Sequence, residues 1–168
     1  PGRYALNGRS VAFYNLVGQV RVVAGTGGQT VVEVTPRGRD ANQLRIENSS
    51  LNGVPTLRVI YPDDDIIDPD MEDGSNTTLR VNEDGTFGGD RRGGRKVRIH
   101  SGRRGSGVEA AVDLLVRLPA GVSLDGHIGV GTMSVNGTRS DLELHTISGD
   151  IDVVGASGVF TLHSASGN

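Results

Sequence analysis

Hydrophobic and polar residues alternate with a period of two along most of the chain. This alternation is typical of strands with one buried face, and the 3.6-residue period of an amphipathic helix is nearly absent. Turn-forming pairs such as Asn52-Gly53 separate the alternating runs. The runs span residues 11–17, 19–23, 30–35, 43–47, 56–61, 77–82, 96–100 and 108–118. The pattern predicts an all-β fold, with a strand rather than a helix at 107–115.

A short repeat runs from Val122 to the end of the chain, and it places Leu124, Leu142 and Phe160 at equivalent positions. A fixed period with apolar residues in register is typical of a solenoid, in which each unit buries its apolar face against the next. At about 3.3 Å per residue, one repeat traces a loop of roughly 60 Å, which suits one coil of a narrow β-helix. Ser-Gly-Asp at 148–150 is interpreted as a corner, because glycine gives the backbone freedom to turn there.

The repeat divides the chain into two predicted regions. Residues 119–168 are predicted to form a single-stranded β-solenoid, or β-helix, with coils of about 18 residues. Residues 1–118 are predicted to be β-rich, either as early coils of the same solenoid or as a separate antiparallel sheet. This first region contains two highly charged segments, 63–73 and 91–104, which are interpreted as loops or strand ends.

Composition narrows the class of protein. Glycine accounts for 26 of 168 residues and aromatic residues for only 4%, which favours short strands, tight turns and a thin aliphatic core. The absence of cysteine excludes disulfides and thiolate metal sites. A net charge of −3 gives no general attraction to nucleic acid or membranes. No stretch approaches the roughly 18 apolar residues of a membrane span.

Three stretches carry a resemblance to a known family. They are "LELHTISGDIDVVGASGVFTLHSASGN" at 142–168, "LPAGVSLDGHIGVGTMSVNG" at 118–137 and "VAFYNLVGQVRVVAGTGGQTVVEV" at 11–34. These stretches resemble the bacterial putative-adhesin family, the domain of unknown function called DUF4097. The resemblance implies a single-stranded β-solenoid in an envelope-associated or secreted bacterial protein. It supplies no catalytic residues. Members of the family usually continue through more coils, so we expect C-terminal coils beyond those in this chain.

Three histidines, His127, His145 and His163, share one column of the repeat. Strands in a sheet lie about 4.8 Å apart, so the three side chains are expected to stack at that spacing. Parity places His145 on the outer face. A surface Zn²⁺ or Cu²⁺ site, or a pH switch, is one interpretation. The alternative, which we favour, is an exposed polar residue copied by the repeat, because in-line stacking suits tetrahedral coordination of one ion poorly.

The acidic segment 63–73 contains seven carboxylates. Carboxylate oxygens are suitable Ca²⁺ ligands, but the EF-hand pattern fails here, because Asp73 and Leu79 stand where that loop needs glycine and glutamate. A solvated loop is therefore the default interpretation, with a Ca²⁺ site as the alternative. The candidate ligands are Asp63, Asp64, Asp65, Asp68, Asp70, Glu72 and Asp73.

The basic segment 91–104 contains seven lysines or arginines. It could neutralise the acidic segment, or it could bind an anionic polysaccharide or nucleic acid. No aromatic residues lie between the basic residues, so base stacking is unsupported and no nucleic-acid partner is predicted. A flexible basic loop is the preferred interpretation.

Together these features predict a non-catalytic, adhesin-like protein of the bacterial envelope or secretome. Its expected partners are other protein chains or cell-surface components, and its uncapped terminal coil is expected to form homo-oligomers by stacking end to end. The nucleophile elbow, the zinc-protease helix and the phosphate loop are all missing, so no enzyme and no cofactor are predicted. Two alternatives stay open. One is a Ca²⁺-dependent binding module, and the other is a polysaccharide-active enzyme that uses paired acids such as Asp141 and Glu143.

Overall fold

The computed structural model describes residues 2–71, 75–87, 94–102 and 107–166. Within these residues the chain forms sixteen strands and one short 3₁₀ helix, Ala41–Gln43. In chain order the strands are β1 Gly2–Leu6, β2 Ser10–Val17, β3 Val20–Ala24, β4 Thr30–Arg37, β5 Arg45–Leu51, β6 Val54–Ile60, β7 Asp65–Ile67, β8 Asn76–Val81, β9 Arg95–His100, β10 Val108–Glu109, β11 Ala111–Leu118, β12 Ser123–Val130, β13 Met133–Asn136, β14 Leu142–Ser148, β15 Ile151–Val154 and β16 Phe160–Ser166. The predicted all-β class is confirmed. The run predicted as one strand at 108–118 is interrupted at Ala110 and forms two strands, β10 and β11, in different sheets.

The strands form three sheets. The first has the order β1-β4-β11-β3-β13-β15 and the second the order β16-β14-β12-β2-β6-β5. The third and smaller sheet has the order β10-β7-β9-β8. No helix in the described part of the chain is long and apolar enough to cross a membrane.

The register predicted from the repeat is confirmed by the strand pairing. β12, β14 and β16 are parallel neighbours, and Leu124 pairs with Leu142, which pairs with Phe160. β13 and β15 pair in the same way, with Met133 opposite Ile151. The side chains of Leu142 and its strand neighbour at 144 are buried, as their parity predicts. The first two repeats therefore each contribute one strand to each of the two large sheets, and the last contributes β16.

The N-terminal strands β2 and β3 belong to the same two sheets. β2 is parallel to β12, with Val11 opposite Leu124, and β3 is parallel to β13, with Val20 opposite Met133. Other upstream strands pair in the antiparallel sense, including β1 with β4 and β5 with β6. The region before residue 119 thus combines both arrangements left open by the sequence. The predicted boundary between two regions of the chain at residue 118 stays a prediction. The two large sheets contain strands from both sides of that boundary.

We call a pair of consecutive strands with one member in each large sheet a level; β2 with β3, β12 with β13 and β14 with β15 are levels. A glycine lies at the turn between the two strands of each of these levels, and the glycines stack on one another. Gly18, Gly131 and Gly149 have φ angles of 145°, 147° and 143°. A Cβ atom on Gly131 would lie 1.7 Å from the carbonyl oxygen of Gly18, and one on Gly149 would lie 1.8 Å from that of Gly131. Only glycine allows the backbones of neighbouring levels to approach this closely. The predicted role of the Ser-Gly-Asp phrase as a corner is confirmed.

The core is mainly aliphatic, but it contains one buried polar pair. Asn15 and Tyr61 are almost fully buried, and the Tyr61 hydroxyl donates to Asn15 Oδ1 at 2.9 Å. Asn15 Nδ2 donates to the Val112 carbonyl oxygen at 2.7 Å. Asn15 lies opposite Ile128 in the neighbouring strand, so an amide occupies an interior position that the next level fills with an aliphatic side chain.

Both charged segments contain a strand. The strand in the basic segment agrees with the alternation predicted at 96–100, whereas β7 lies in an acidic segment that was predicted to be a loop or strand end. β7 and β9 pair in parallel, with Asp65 opposite Arg98. The reason is the apolar residues between the charges, because Ile66, Val97 and Ile99 are fully buried. The sheet therefore brings the acidic and basic segments side by side, as the counter-charge interpretation anticipated.

Candidate functional site

The three histidines form one continuous stack, which Tyr14 extends at its inner end. The rings of Tyr14 and His127 are parallel within 9°, with centroids 4.3 Å apart. His127 and His145 follow at 4.5 Å and 2°, and His145 and His163 at 4.6 Å and 5°. The in-register parallel strands set this spacing, since Tyr14, His127, His145 and His163 are direct strand neighbours. We call these four residues the ring column.

A second column of side chains runs beside the first, two residues earlier on each strand. It contains Asp125 next to His127 and Glu143 next to His145. Asp125 Oδ1 lies 2.8 Å from His127 Nε2, and Glu143 Oε1 lies 3.2 Å from His145 Nε2. Successive side chains on a strand alternate between faces, so residues two apart project to the same side. Each of these two histidines therefore has its own carboxylate.

Exposure changes steeply along the ring column. The His127 side chain is 8% exposed and that of His145 is 26% exposed, while His163 is exposed. Phe87 covers the buried end, because its ring packs edge-on against Tyr14 and His127 at centroid distances of 5.5 and 6.2 Å, while His163 lies on the outermost strand of its sheet. The expectation of a surface column is thus wrong for His127, which a residue from the distant 82–87 segment covers.

His127 is buried without hydrogen bonds. Among the described residues, neither ring nitrogen of His127 has a hydrogen-bond partner, and Asp125 Oδ1 also lacks one. The 2.8 Å approach of that oxygen to His127 Nε2 lies off the direction that a hydrogen bond requires. Leaving a buried polar group unpaired costs about 1–3 kcal/mol. A cleft of about 310 Å³ opens beside His127, with Phe87, His145 and His163 among its other lining residues.

Burial also shifts the pKa values of two groups in the column. Desolvation and the neighbouring His127 lower the pKa of His145, and its hydrogen bond with Glu143 opposes this only in part. Desolvation, followed by the charge of Asp125, raises the pKa of Tyr14 to about 12. Both shifts favour the uncharged ring. Neutral imidazole is the form that binds metal ions.

Two triads of side chains, each combining residues of the ring column with a carboxylate of the column beside it, have ligand atoms close enough to hold a metal ion. They are Asp125 with His127 and His145, and Glu143 with His145 and His163. Within each triad one ligand atom per residue lies within 4.8 Å of the others. The histidines were candidates from the sequence, but the carboxylates were not recognised as their partners. The signal was present, since an acid precedes His127 and His145 by two residues.

The acidic segment does not form such a cluster within the described part of the chain. Asp64 is paired with Arg95 at 2.9 Å, and Asp70 is paired with Arg37. Asp63 Oδ1 accepts the backbone N–H groups of residues 64 and 65.

The other acidic candidates are also dispersed. Asp65 lies in β7, 4.0 Å from His100. Asp68 is buried, and its Oδ1 accepts the Asp70 N–H at 2.9 Å. Glu72 and Asp73 lie outside the described residues. Calcium binding stays a prediction, which thermal melting with Ca²⁺ and with EDTA would test.

Comparisons with known proteins identify no family. No protein-family model matches the chain, and no curated protein matches it. One solved structure, described as a putative cell adhesion protein from Clostridium sporogenes, aligns over 100% of both chains with 6% identity and a TM-score of 0.42.

Proposed function

We propose that the chain is a non-catalytic, adhesin-like interaction protein of the bacterial envelope or secretome, built as a β-solenoid that associates through its terminal level. One observation carries this proposal. β15 and β16 are outermost in the two large sheets among the described residues, and both lie at the same end of the stack. The exposed fractions of Val154, Val159 and Leu162 at this end are 63%, 69% and 44%. Unpaired strand edges of this kind accept further strands.

A second copy of this chain is the partner that fits the edge best. The opposite end of the second sheet is β5, which carries Arg45 and Glu47 and pairs in the antiparallel sense with β6. Charged residues on an edge strand discourage pairing, whereas β16 contains neither acid, lysine nor arginine. Two copies therefore associate head to head through β16, in a twofold arrangement that buries the same surface on each chain. This geometry closes as a dimer and leaves the charged ends outside.

The non-catalytic part of the proposal is supported by where the polar groups lie. Ser148 has the opposite strand parity to His145, so the two cannot form a nucleophile–base pair. Asp141, a candidate acid for polysaccharide cleavage, accepts the Val159 N–H at 2.9 Å and is occupied in joining two levels. The Asp141 carboxylate therefore hydrogen-bonds the backbone, and the His145 imidazole lies in the ring column.

Sedimentation velocity over a range of concentrations tests the proposal. The wild-type chain is expected to reach a monomer–dimer equilibrium, and Leu162→Lys is expected to shift it to monomer by placing a charge on the edge strand. Ser134→Lys is the matched control, because Ser134 is exposed on β13, which is flanked by strands on both sides. A wild-type chain that stays monomeric at its highest soluble concentration contradicts the proposal, as does equal dissociation of both variants.

A further inference from the structure

We propose that Asp125, His127 and His145 form a binding site for a divalent transition-metal ion of the zinc class. The inference is independent of the dimer proposed above. It begins with donor chemistry, since two imidazole nitrogens and one carboxylate oxygen are a common ligand set for Zn²⁺ and leave a fourth position for water. The three ligand atoms lie within 4.8 Å of one another.

The burial of His127 is the second, independent observation. Its side chain is 8% exposed, and neither ring nitrogen has a hydrogen-bond partner among the described residues. Asp125 Oδ1, 2.8 Å from His127 Nε2, is likewise unpaired. A cation between these atoms would satisfy the nitrogen and the carboxylate oxygen together, which no protein group in the described part of the chain does.

The geometry requires two movements. The distance of 2.8 Å between Asp125 Oδ1 and His127 Nε2 must widen, and His145 must turn. Ligand atoms around a tetrahedral Zn²⁺ lie about 3.3 Å apart, as bonds of about 2.0 Å dictate. The His127 and His145 rings are parallel and 4.5 Å apart, so His145 must turn about its Cβ–Cγ bond to direct Nε2 at the shared ion. The cleft of about 310 Å³ beside His145 gives it room to turn, and the 26% exposure of its side chain gives an ion access.

The neighbouring triad of Glu143, His145 and His163 fits less well. Glu143 already hydrogen-bonds His145 at 3.2 Å, and His163 is exposed, so water can satisfy its ring. Neither Glu143 nor His163 has a buried side-chain atom without a partner. Since both triads share His145, the column holds one ion at the buried triad rather than two.

Isothermal titration of tag-free protein with ZnCl₂, after removal of metals with EDTA and dialysis, tests the assignment. The wild-type chain is expected to bind one Zn²⁺ per chain. Asp125→Asn and His145→Gln are each expected to weaken binding by about 100-fold or more, because losing even an outer hydrogen-bond partner of a metal ligand costs about 10–100-fold. His163→Gln is the matched control, because it removes an exposed imidazole of the ring column and is expected to change affinity by less than about threefold.

A spectroscopic measurement separates coordination from folding. Co²⁺ bound to the wild-type chain is expected to give the intense visible absorption of a tetrahedral site, and Asp125→Asn to lose it while keeping the wild-type circular dichroism spectrum. Absence of Zn²⁺ binding to the wild-type chain overturns the proposal. Binding that survives Asp125→Asn but is lost in Glu143→Gln and His163→Gln overturns the assigned ligands.

Discussion

Replacing Gly131 by alanine tests how closely the levels of the stack approach one another. The new Cβ would lie 1.7 Å from the Gly18 carbonyl oxygen, and real Cβ contacts essentially never fall below 3.0 Å. Both clashing atoms are fixed to the main chain, so no change of rotamer relieves the contact and the two backbones must move apart. Two backbone hydrogen bonds cross the same corner, from Gly18 N to Val130 O at 3.1 Å and from Val20 N to Thr132 O at 2.9 Å.

The expected loss of stability has two parts. The φ angle of Gly131, 147°, lies in a region that other residues rarely adopt, at a cost of about 1–3 kcal/mol. Weakening one or two hydrogen bonds adds about 1–2 kcal/mol. The total of about 2–5 kcal/mol is a large fraction of the 5–15 kcal/mol typical of a domain. Gly131→Ala should therefore unfold at a much lower urea concentration than the wild-type chain.

Gly137→Ala is the matched control for this measurement. Gly137 also has a positive φ, 72°, but no atom lies within 4 Å of a Cβ added there. It is expected to cost only the conformational penalty of about 1–2 kcal/mol. Urea denaturation followed by circular dichroism compares the two variants. A Gly131→Ala variant as stable as Gly137→Ala would refute the close approach of the backbones at the corner.

Three further predictions concern the buried polar groups and the ring column. Tyr61→Phe removes the hydroxyl that donates to Asn15 Oδ1 at 2.9 Å and should cost about 1–3 kcal/mol in urea denaturation; an unchanged midpoint contradicts this. His145 has a folded-state pKa below its unfolded value of 6.5, so its contribution to stability is present above pH 6.5 and is lost as pH falls through the folded-state pKa. In EDTA, the free energy of unfolding should therefore fall less between pH 7.5 and pH 5 for His145→Gln than for the wild-type chain. An equal fall in the two proteins contradicts the lowered pKa of His145. Phe87→Ala should cost about 3 kcal/mol by removing the buried ring that covers His127, and a loss below about 1 kcal/mol would show that the cover is weak.

The repeat made the terminal strands predictable from sequence. The positions of Leu124, Leu142 and Phe160 fix the register between successive levels, and parity then determines which side chains face the core. Both inferences depend on local spacing, because side-chain direction alternates along a strand and the repeat units recur at a fixed interval. The corner at Gly149 follows from the same spacing, since a fixed period places equivalent turns above one another.

The pairing of β2 with β12 could not be predicted in this way. The two strands are separated by most of the N-terminal region, so no fixed period connects Val11 with Leu124. Tyr14 consequently went unrecognised as a neighbour of His127, and Arg37 as the partner of Asp70. Such contacts depend on how the intervening chain folds back, which residue spacing does not encode.

The ring column shows how copies of one repeated residue come to have different surroundings. Duplication alone would give His127, His145 and His163 equal surroundings, since the three strands pair in the same register. The chain between β3 and β12 breaks that equivalence by placing Phe87 against Tyr14 and His127 but not against His163. Exposure therefore rises along the column, and the unpaired nitrogens occur only on its covered histidine. The segment that carries Phe87 therefore determines which copy of the repeated histidine is buried with both ring nitrogens unpaired among the described residues.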